Sequence, residues 1–207
     1  MEQLATELAT QFMSQVTQTS LPEWLAVVLA IAYVWLAARQ NVRCWFAAFT
    51  STALYTWIFW QVSLPFQSAL NVFYMIMAVY GYWQWHHKPS DTGGVVSWPV
   101  WLHGLLVIAL VGVVVLLGKL AATQFNHEHL WLDAAVNVFS VVTTFMVAHK
   151  VLQNWVYWFF INCAAVYLYW QSGLVLSACL FVGYVGFSLY GYMQWKKEWV
   201  SHTPAMS

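Results

Sequence analysis

Trp155, Trp158 and Asn162 fall at i, i+3 and i+7, so a helix through them sets two indole planes and one primary amide on a single face. Indole faces stack on flat rings and attract cations. An amide both donates and accepts hydrogen bonds. Together they suit a small, partly aromatic ligand held without a formal charge. Asn71 and Tyr74, three residues apart, repeat the pairing of amide and ring elsewhere, and Tyr184, Ser51 and Thr52 complete the candidate contacts. Each residue type also has a packing use, because Trp and Tyr fill helix seams and a buried Asn often bonds a neighbouring helix. As a set facing one central cavity, they read as a binding surface.

Other chemistries are poorly served. The histidines (86, 87, 103, 127, 129, 149 and 202) lie in loops or near the ends of apolar stretches, whereas haem ligation needs them within the stretches. His127-Glu128-His129 carries metal-ligand types but reads as a solvated loop. A retinal Schiff base needs a lysine inside the last hydrophobic stretch, and Lys196 and Lys197 come only at its end. Cys44, Cys163 and Cys179 are odd in number, lack CxxC spacing and sit in apolar surroundings, so they read as packing residues. No cofactor is expected. Seven basic residues balance seven acidic ones, which leaves no basic field for nucleic acid.

The elements that position these residues belong in lipid. Of 207 residues, 62% are hydrophobic and 7% charged, against about 25% charged in an ordinary soluble domain. Seven stretches approach the roughly 20 residues that cross a bilayer as helix: about 23–38, 43–60, 66–86, 98–118, 132–148, 154–171 and 174–195. Pro22, Pro65, Pro89 and Pro99 fall at or just outside their ends. The run Lys88-Pro89-Ser90-Asp91-Thr92-Gly93-Gly94 is the clear polar linker, while Ser63-Leu64-Pro65 and Gln171-Ser172-Gly173 make very short turns. Met1 to Thr19 lacks the basic start of a signal peptide, and Leu4, Leu8, Phe12 and Val16 recur at helical spacing, as in an amphipathic surface helix. With the N-terminus outside, Arg39, Arg43, Lys88, Lys150, Lys196 and Lys197 all fall inside and Lys119 alone outside, which satisfies the positive-inside rule. No Asp, Glu, Lys or Arg occupies the middle of a stretch, so no ion relay is evident.

Tyr80-Gly81-Tyr82-Trp83-Gln84-Trp85 returns 110 residues later as Tyr190-Gly191-Tyr192-Met193-Gln194-Trp195. Holding that offset from 37 to 85 pairs Trp45 with Trp155, Phe49 with Phe159, Trp60-Gln61 with Trp170-Gln171 and Tyr74 with Tyr184, giving 14 identities in 49 positions. Glu23 likewise pairs with Asp133, each at the start of its stretch. The expected fold is therefore an all-α integral membrane protein of seven transmembrane helices. Residues 23–86 form the first repeat, 87–131 a linker with one helix, and 132–197 a second repeat in the same orientation, flanked by an outer segment 1–22 and a cytoplasmic tail 198–207. Parallel repeats of this 3+1+3 kind place their substrate near the midplane between the halves, as in SWEET-type transporters. The two halves differ at the candidate site: Trp158 pairs with Ala48, Asn162 with Thr52 and Asn71 with Phe181.

The stretch Asn154-Trp155-Val156-Tyr157-Trp158-Phe159-Phe160-Ile161-Asn162 resembles the W-x-x-W-x-x-x-N pattern of the PnuC family of bacterial vitamin-precursor transporters. Leu132-Asp133, the run from Ser140 to Leu152, and Leu70-Asn71-Val72-Phe73-Tyr74 leading into Tyr80-Gly81-Tyr82 are similar as well, and the likeness runs from about residue 22 to 197. The resemblance implies a homotrimer in the bacterial inner membrane. It further implies facilitated diffusion of nicotinamide riboside, trapped by a cytoplasmic kinase. Members for that substrate tend to carry Gln at the place of Asn71, which leaves thiamine and riboflavin as alternative cargoes. A sugar carrier on the SWEET plan and a cofactor-bearing membrane enzyme subunit are the rival readings, the second disfavoured by the histidine positions.

Overall fold

The computed structural model describes residues 2–61, 65–87, 94–123 and 129–202. Among them the chain is almost wholly helical: α1 (Glu2–Gln18), α2 (Leu21–Ala38), α3 (Cys44–Gln61), α4 (Pro65–His87), α5 (Val100–Ala122), α6 (Leu130–Ala148), α7 (Asn154–Gln171) and α8 (Val175–His202). The expected hydrophobic stretches coincide with α2 to α8, and the N-terminal periodicity with α1. Ser63 and Leu64 of one expected turn, and most of the polar linker (88–93), lie outside the described residues.

By length and apolar composition alone, α2, α5, α6 and α8 are each able to cross a membrane. Helices α3, α4 and α7 are 18, 23 and 18 residues long, but their Tyr, Trp, Gln and Asn content lowers their mean hydropathy. Helix starts follow local chemistry. Ser20 caps α2 with Glu23 in a capping box, the Ser20 N–H donating to Glu23 Oε2 at 2.6 Å. Asp133, in the first turn of α6, accepts from Asn137 Nδ2 at 3.0 Å.

One connection is built twice, and it organises the bundle. After α2, Gln40 takes φ 53° and Asn41 N–H returns to Leu36 O at 3.0 Å; after α6, Lys150 takes φ 53° and Val151 N–H returns to Met146 O at 3.0 Å. Both are Schellman ends, which normally take glycine at the left-handed residue. Gly173, at φ 71° between α7 and α8, follows that norm. Beyond each of the first two turns a tryptophan lies against a glycine of the helix that follows its own: Trp45 of α3 on Gly81 of α4 and Trp155 of α7 on Gly191 of α8. Those glycines are required by close approach, because a Cβ would come within 2.3 Å and 2.5 Å of the rings.

The packing is α2 on α3, α3 on α4, then α6 on α7 and α7 on α8, with α4 meeting α6 and α2 meeting α8. The core gathers at the end of the bundle that carries Arg39, Arg43 and Lys150, around Trp45, Trp155, Trp195, Ala38 and Ala148. Trp45 stands edge-on to Trp85 (5.3 Å, 84°) and Trp155 edge-on to Trp195 (5.5 Å, 86°). Trp85 Nε1 donates across the seam to Ala148 O at 3.1 Å, and Trp195 Nε1 donates the other way to Ala37 O at 3.0 Å. Each of these bonds satisfies a polar atom that would be costly to bury alone.

Two attachments stand outside this plan. Val96, in the segment before α5, bridges to Val151, with Val96 N–H to Lys150 O at 3.0 Å and Leu152 N–H to Val96 O at 2.8 Å. The segment entering α5 is thereby fastened to the α6–α7 turn. At the opposite end, Gln11 and Gln15 of α1 both donate to Gly173 O (2.8 and 2.9 Å), tying α1 to the α7–α8 turn.

Candidate functional site

The eight expected site residues fall on α3, α4, α7 and α8. Trp155 is 3% exposed, pressed on Gly191 and Trp195, and its Nε1 has no hydrogen-bond partner. Trp158, one turn on, packs half-buried at the margin of the same core. Asn162 is 5% exposed and its Nδ2 donates to Ser188 Oγ of α8 at 3.1 Å. Ser188 in turn donates to the Tyr184 carbonyl at 2.8 Å. Trp155, Trp158, Asn162 and Tyr184 are thus joined within one three-helix group.

The other half contributes differently. Tyr74 faces Ser140 of α6 across the seam. Asn71 Nδ2 bonds its own helix at Gln67 O, 2.9 Å away, and Thr52 Oγ1 likewise bonds Ala48 O at 2.8 Å. Ser51, 3% exposed, is spent on a helix joint, donating to Ala26 O of α2 at 2.8 Å. Sequence reasoning did not single out Tyr33, Tyr55 or Tyr169. Yet Tyr33 lies within electrostatic reach of Tyr74, and Tyr55 within reach of Tyr169 and Tyr184. The signal that could have found them is hydropathy misfit: each is a polar-tipped ring inside an otherwise apolar stretch. Ser188 was missed because its repeat mate is Ala78 and neither residue breaks the apolar pattern.

Two open grooves elsewhere are lined mainly by apolar side chains. One, of about 530 Å³, runs between α3 and α4 past Trp57, Trp60 and Val72; the other, of about 400 Å³, lies among α5, α6 and α7 past Val107, Phe139 and Phe160. None of the eight expected residues lines either groove. Of the His127-Glu128-His129 run, only His129 is among the described residues, its ring against Tyr167 at 5.7 Å. Among the described residues, no three His, Cys, Asp or Glu gather where a metal could bind.

A helical bundle with apolar outer faces and an interior of rings, hydroxyls and amides has the construction of a membrane carrier for a small molecule. A profile of the nicotinamide mononucleotide transporter family matches residues 20–197, and the chain belongs to that family. The nicotinamide riboside transporter PnuC of Escherichia coli (strain K12) is 21% identical over 206 residues, covering 83% of this chain and 84% of that one. The riboflavin/roseoflavin transporter RibM of Streptomyces davaonensis is 23% identical over 173 residues, 81% of each chain. Among solved structures, that of the vitamin B3 transporter PnuC superposes with a TM-score of 0.70 over 97% of this chain and 91% of the other, at 21% identity. The chain is a multi-pass membrane transporter of the PnuC family, which is the family the sequence motifs resembled.

Proposed function

We propose that this transporter mediates facilitated diffusion of nicotinamide riboside across the bacterial inner membrane. The observation that carries the reading is an uncharged interior. Among the described residues the buried polar side chains are Ser51, Ser68, Ser140, Thr143, Thr144, Asn154, Asn162 and Ser188, all neutral. A carrier coupled to protons or sodium needs an ionisable group or a dense oxygen cage on its path. With neither among the described buried side chains, direction would come from consumption of the cargo, as when a cytoplasmic kinase phosphorylates it. A pyridinium riboside presents a cationic flat ring for Trp155 and Trp158. Asn162, Tyr184, Asn71 and Tyr74 would meet its polar edges, while Ser51 and Thr52, whose hydroxyls are already bonded to Ala26 O and Ala48 O, would only line the site.

The architecture that goes with this reading is seven crossings, α2 to α8, in two parallel repeats, α2–α4 and α6–α8. The doubled Schellman turns, the doubled tryptophan–glycine contacts and the indole bonds from Trp85 Nε1 to Val147 O (3.3 Å) and from Trp195 Nε1 to Ala37 O (3.0 Å) all fall at the 110-residue offset, which supports duplication. The N-terminus would face outward and the basic end the cytoplasm. The homotrimer is carried over from the family resemblance. Alternating access would come from rocking of one repeat on the other. The segment fastened at Val96 makes α5 travel with α6–α8, rather than act as a loose tether.

A second reading keeps the fold and changes the cargo to riboflavin, favoured by the RibM relative; thiamine is a third. Proteoliposomes enclosing nicotinamide riboside kinase and ATP should accumulate phosphorylated product from labelled nicotinamide riboside with no proton or sodium gradient. Uptake that requires a gradient would refute the uncoupled mechanism. Uptake of riboflavin in preference would replace the cargo.

A further inference from the structure

The hydrogen-bond chain behind Asn162 has a direction, and the direction says what the site selects. Ser188 has one hydroxyl proton, and it is committed to the Tyr184 carbonyl at 2.8 Å, since a carbonyl can only accept. Ser188 Oγ therefore meets Asn162 as an acceptor, at 3.1 Å. While that proton stays on the Tyr184 carbonyl, Asn162 Nδ2 is the amide atom that faces Ser188. The flipped amide would set Oδ1 against Oγ with no proton between them. Asn162 Oδ1 is thereby left as the amide atom not bonded to Ser188. Among the described residues none donates to it, and unlike Asn154 Oδ1 and Trp155 Nε1 it is not sealed within the packed interior.

We infer that Ser188 is a positioning residue which locks the Asn162 amide with its oxygen toward the ligand, so that the site selects cargo presenting an N–H or O–H donor. This rests on the reading of Asn162 as a substrate contact. A lone buried Asn could rotate to serve either a donor or an acceptor. A locked one rejects ligands that offer only an acceptor, because two oxygens would then face each other unpaired, and such mismatches discriminate strongly. The first three-helix group has no counterpart. Its equivalent positions are Thr52, which bonds its own helix at Ala48 O, and Ala78. The selection is therefore built into one side of the seam.

The test compares nicotinamide riboside, whose carboxamide donates, with nicotinic acid riboside, whose carboxylate only accepts. Wild-type protein should favour the first. Ser188→Ala frees the amide and should lower that preference about tenfold, equivalent to about 1.4 kcal/mol, chiefly by tightening the riboside that presents a carboxylate in place of the carboxamide. Alanine already stands at the equivalent position 78, and Ser188→Thr, which keeps the hydroxyl, should restore the preference. Selective ¹⁵N-asparagine labelling gives a readout that needs no ligand, in which the Asn162 side-chain amide resonance should shift in Ser188→Ala and not in Ser188→Thr. An unmoved resonance, or an unchanged preference in Ser188→Ala, overturns the positioning role. A shifted resonance in a protein that binds neither riboside supports the positioning and sinks the cargo reading alone.

Discussion

The α2–α4 and α6–α8 groups share their scaffold and differ in their polar chemistry. Both turn through a left-handed residue, Gln40 or Lys150, and both press a tryptophan onto a glycine. Both set an edge-on tryptophan pair at 5.3–5.5 Å. In the second group, however, α7 holds a buried Asn162 bonded to another helix, where the first has Thr52 bonded only to its own. The scaffold positions tolerate little change because they are defined by contact distances of the ring on the backbone. The interior polar positions were free to diverge, since a Thr satisfied within its own helix imposes nothing on its neighbours. If Asn162 contacts the ligand as proposed, specificity is concentrated in one half, while the scaffold is shared by two.

The largest expected effect tests the shared part. Gly81→Ala and Gly191→Ala each place a methyl within 2.5 Å of a buried indole that has no room to retreat. Overpacking of this kind costs about 1–3 kcal/mol and at times more. Both variants should show lower thermal unfolding temperatures in detergent, by similar amounts. If one is silent while the other unfolds, the two groups are not structural equivalents and the duplication argument fails.

The scaffold was largely legible in the sequence, because hydropathy and the 110-residue offset report on lipid and on self-similarity. The expected stretch 154–171 matches α7 to the residue. The last stretch was set to end at 195, whereas α8 continues to His202. Lys196, Lys197 and Glu198 end the apolar run but are good helix formers, so the change in polarity marks the end of that run and not the helix end. The site was less legible. Trp155 and Trp158 share a face as their spacing requires, yet only the folded chain reveals that Trp155 is wedged on Gly191 and that Ser188 takes the Asn162 amide. The Val96 bridge was invisible, because two residues pairing across 55 positions leave no periodicity.

The next effect addresses the divergent part. Trp158→Ala and Asn162→Ala should each raise the dissociation constant for nicotinamide riboside by roughly five- to a hundredfold. That range follows from about 1–3 kcal/mol for a desolvated cation–π contact or a lost buried hydrogen bond. Thr52→Ala, at the equivalent place in the first group, should change it by less than about threefold, because its hydroxyl is already satisfied at Ala48 O. Calorimetry on the three variants sets the order. Equal losses at Thr52 and Asn162 would mean the ligand contacts both halves alike, and the asymmetry would have no functional meaning.

The smallest effect on stability concerns the two left-handed residues and carries the most information about movement. A residue with a Cβ in this conformation costs roughly 1 kcal/mol relative to glycine, and here neither position has glycine. Each side chain instead reaches across the seam. Gln40 Nε2 donates to Glu198 Oε2 of α8 at 2.5 Å, and the Lys150 ammonium lies 5.1 Å from the Trp85 ring of α4. The strain and the contact nearly offset, so Gln40→Gly and Lys150→Gly should move the unfolding temperature little. What they remove is a pair of side-chain contacts across the seam at the basic end, and if the halves rock as proposed, removal should favour the state in which that end is open. Spin labels at Gln61 and Ser172, one in each group at the opposite end, should then report a shorter or broader distance in the double variant without substrate. Labels at Gln61 and Gln67, both within the first group, should not respond. If only the within-group distance moves, the halves do not rock as bodies, and opening proceeds by rearrangement of single helices.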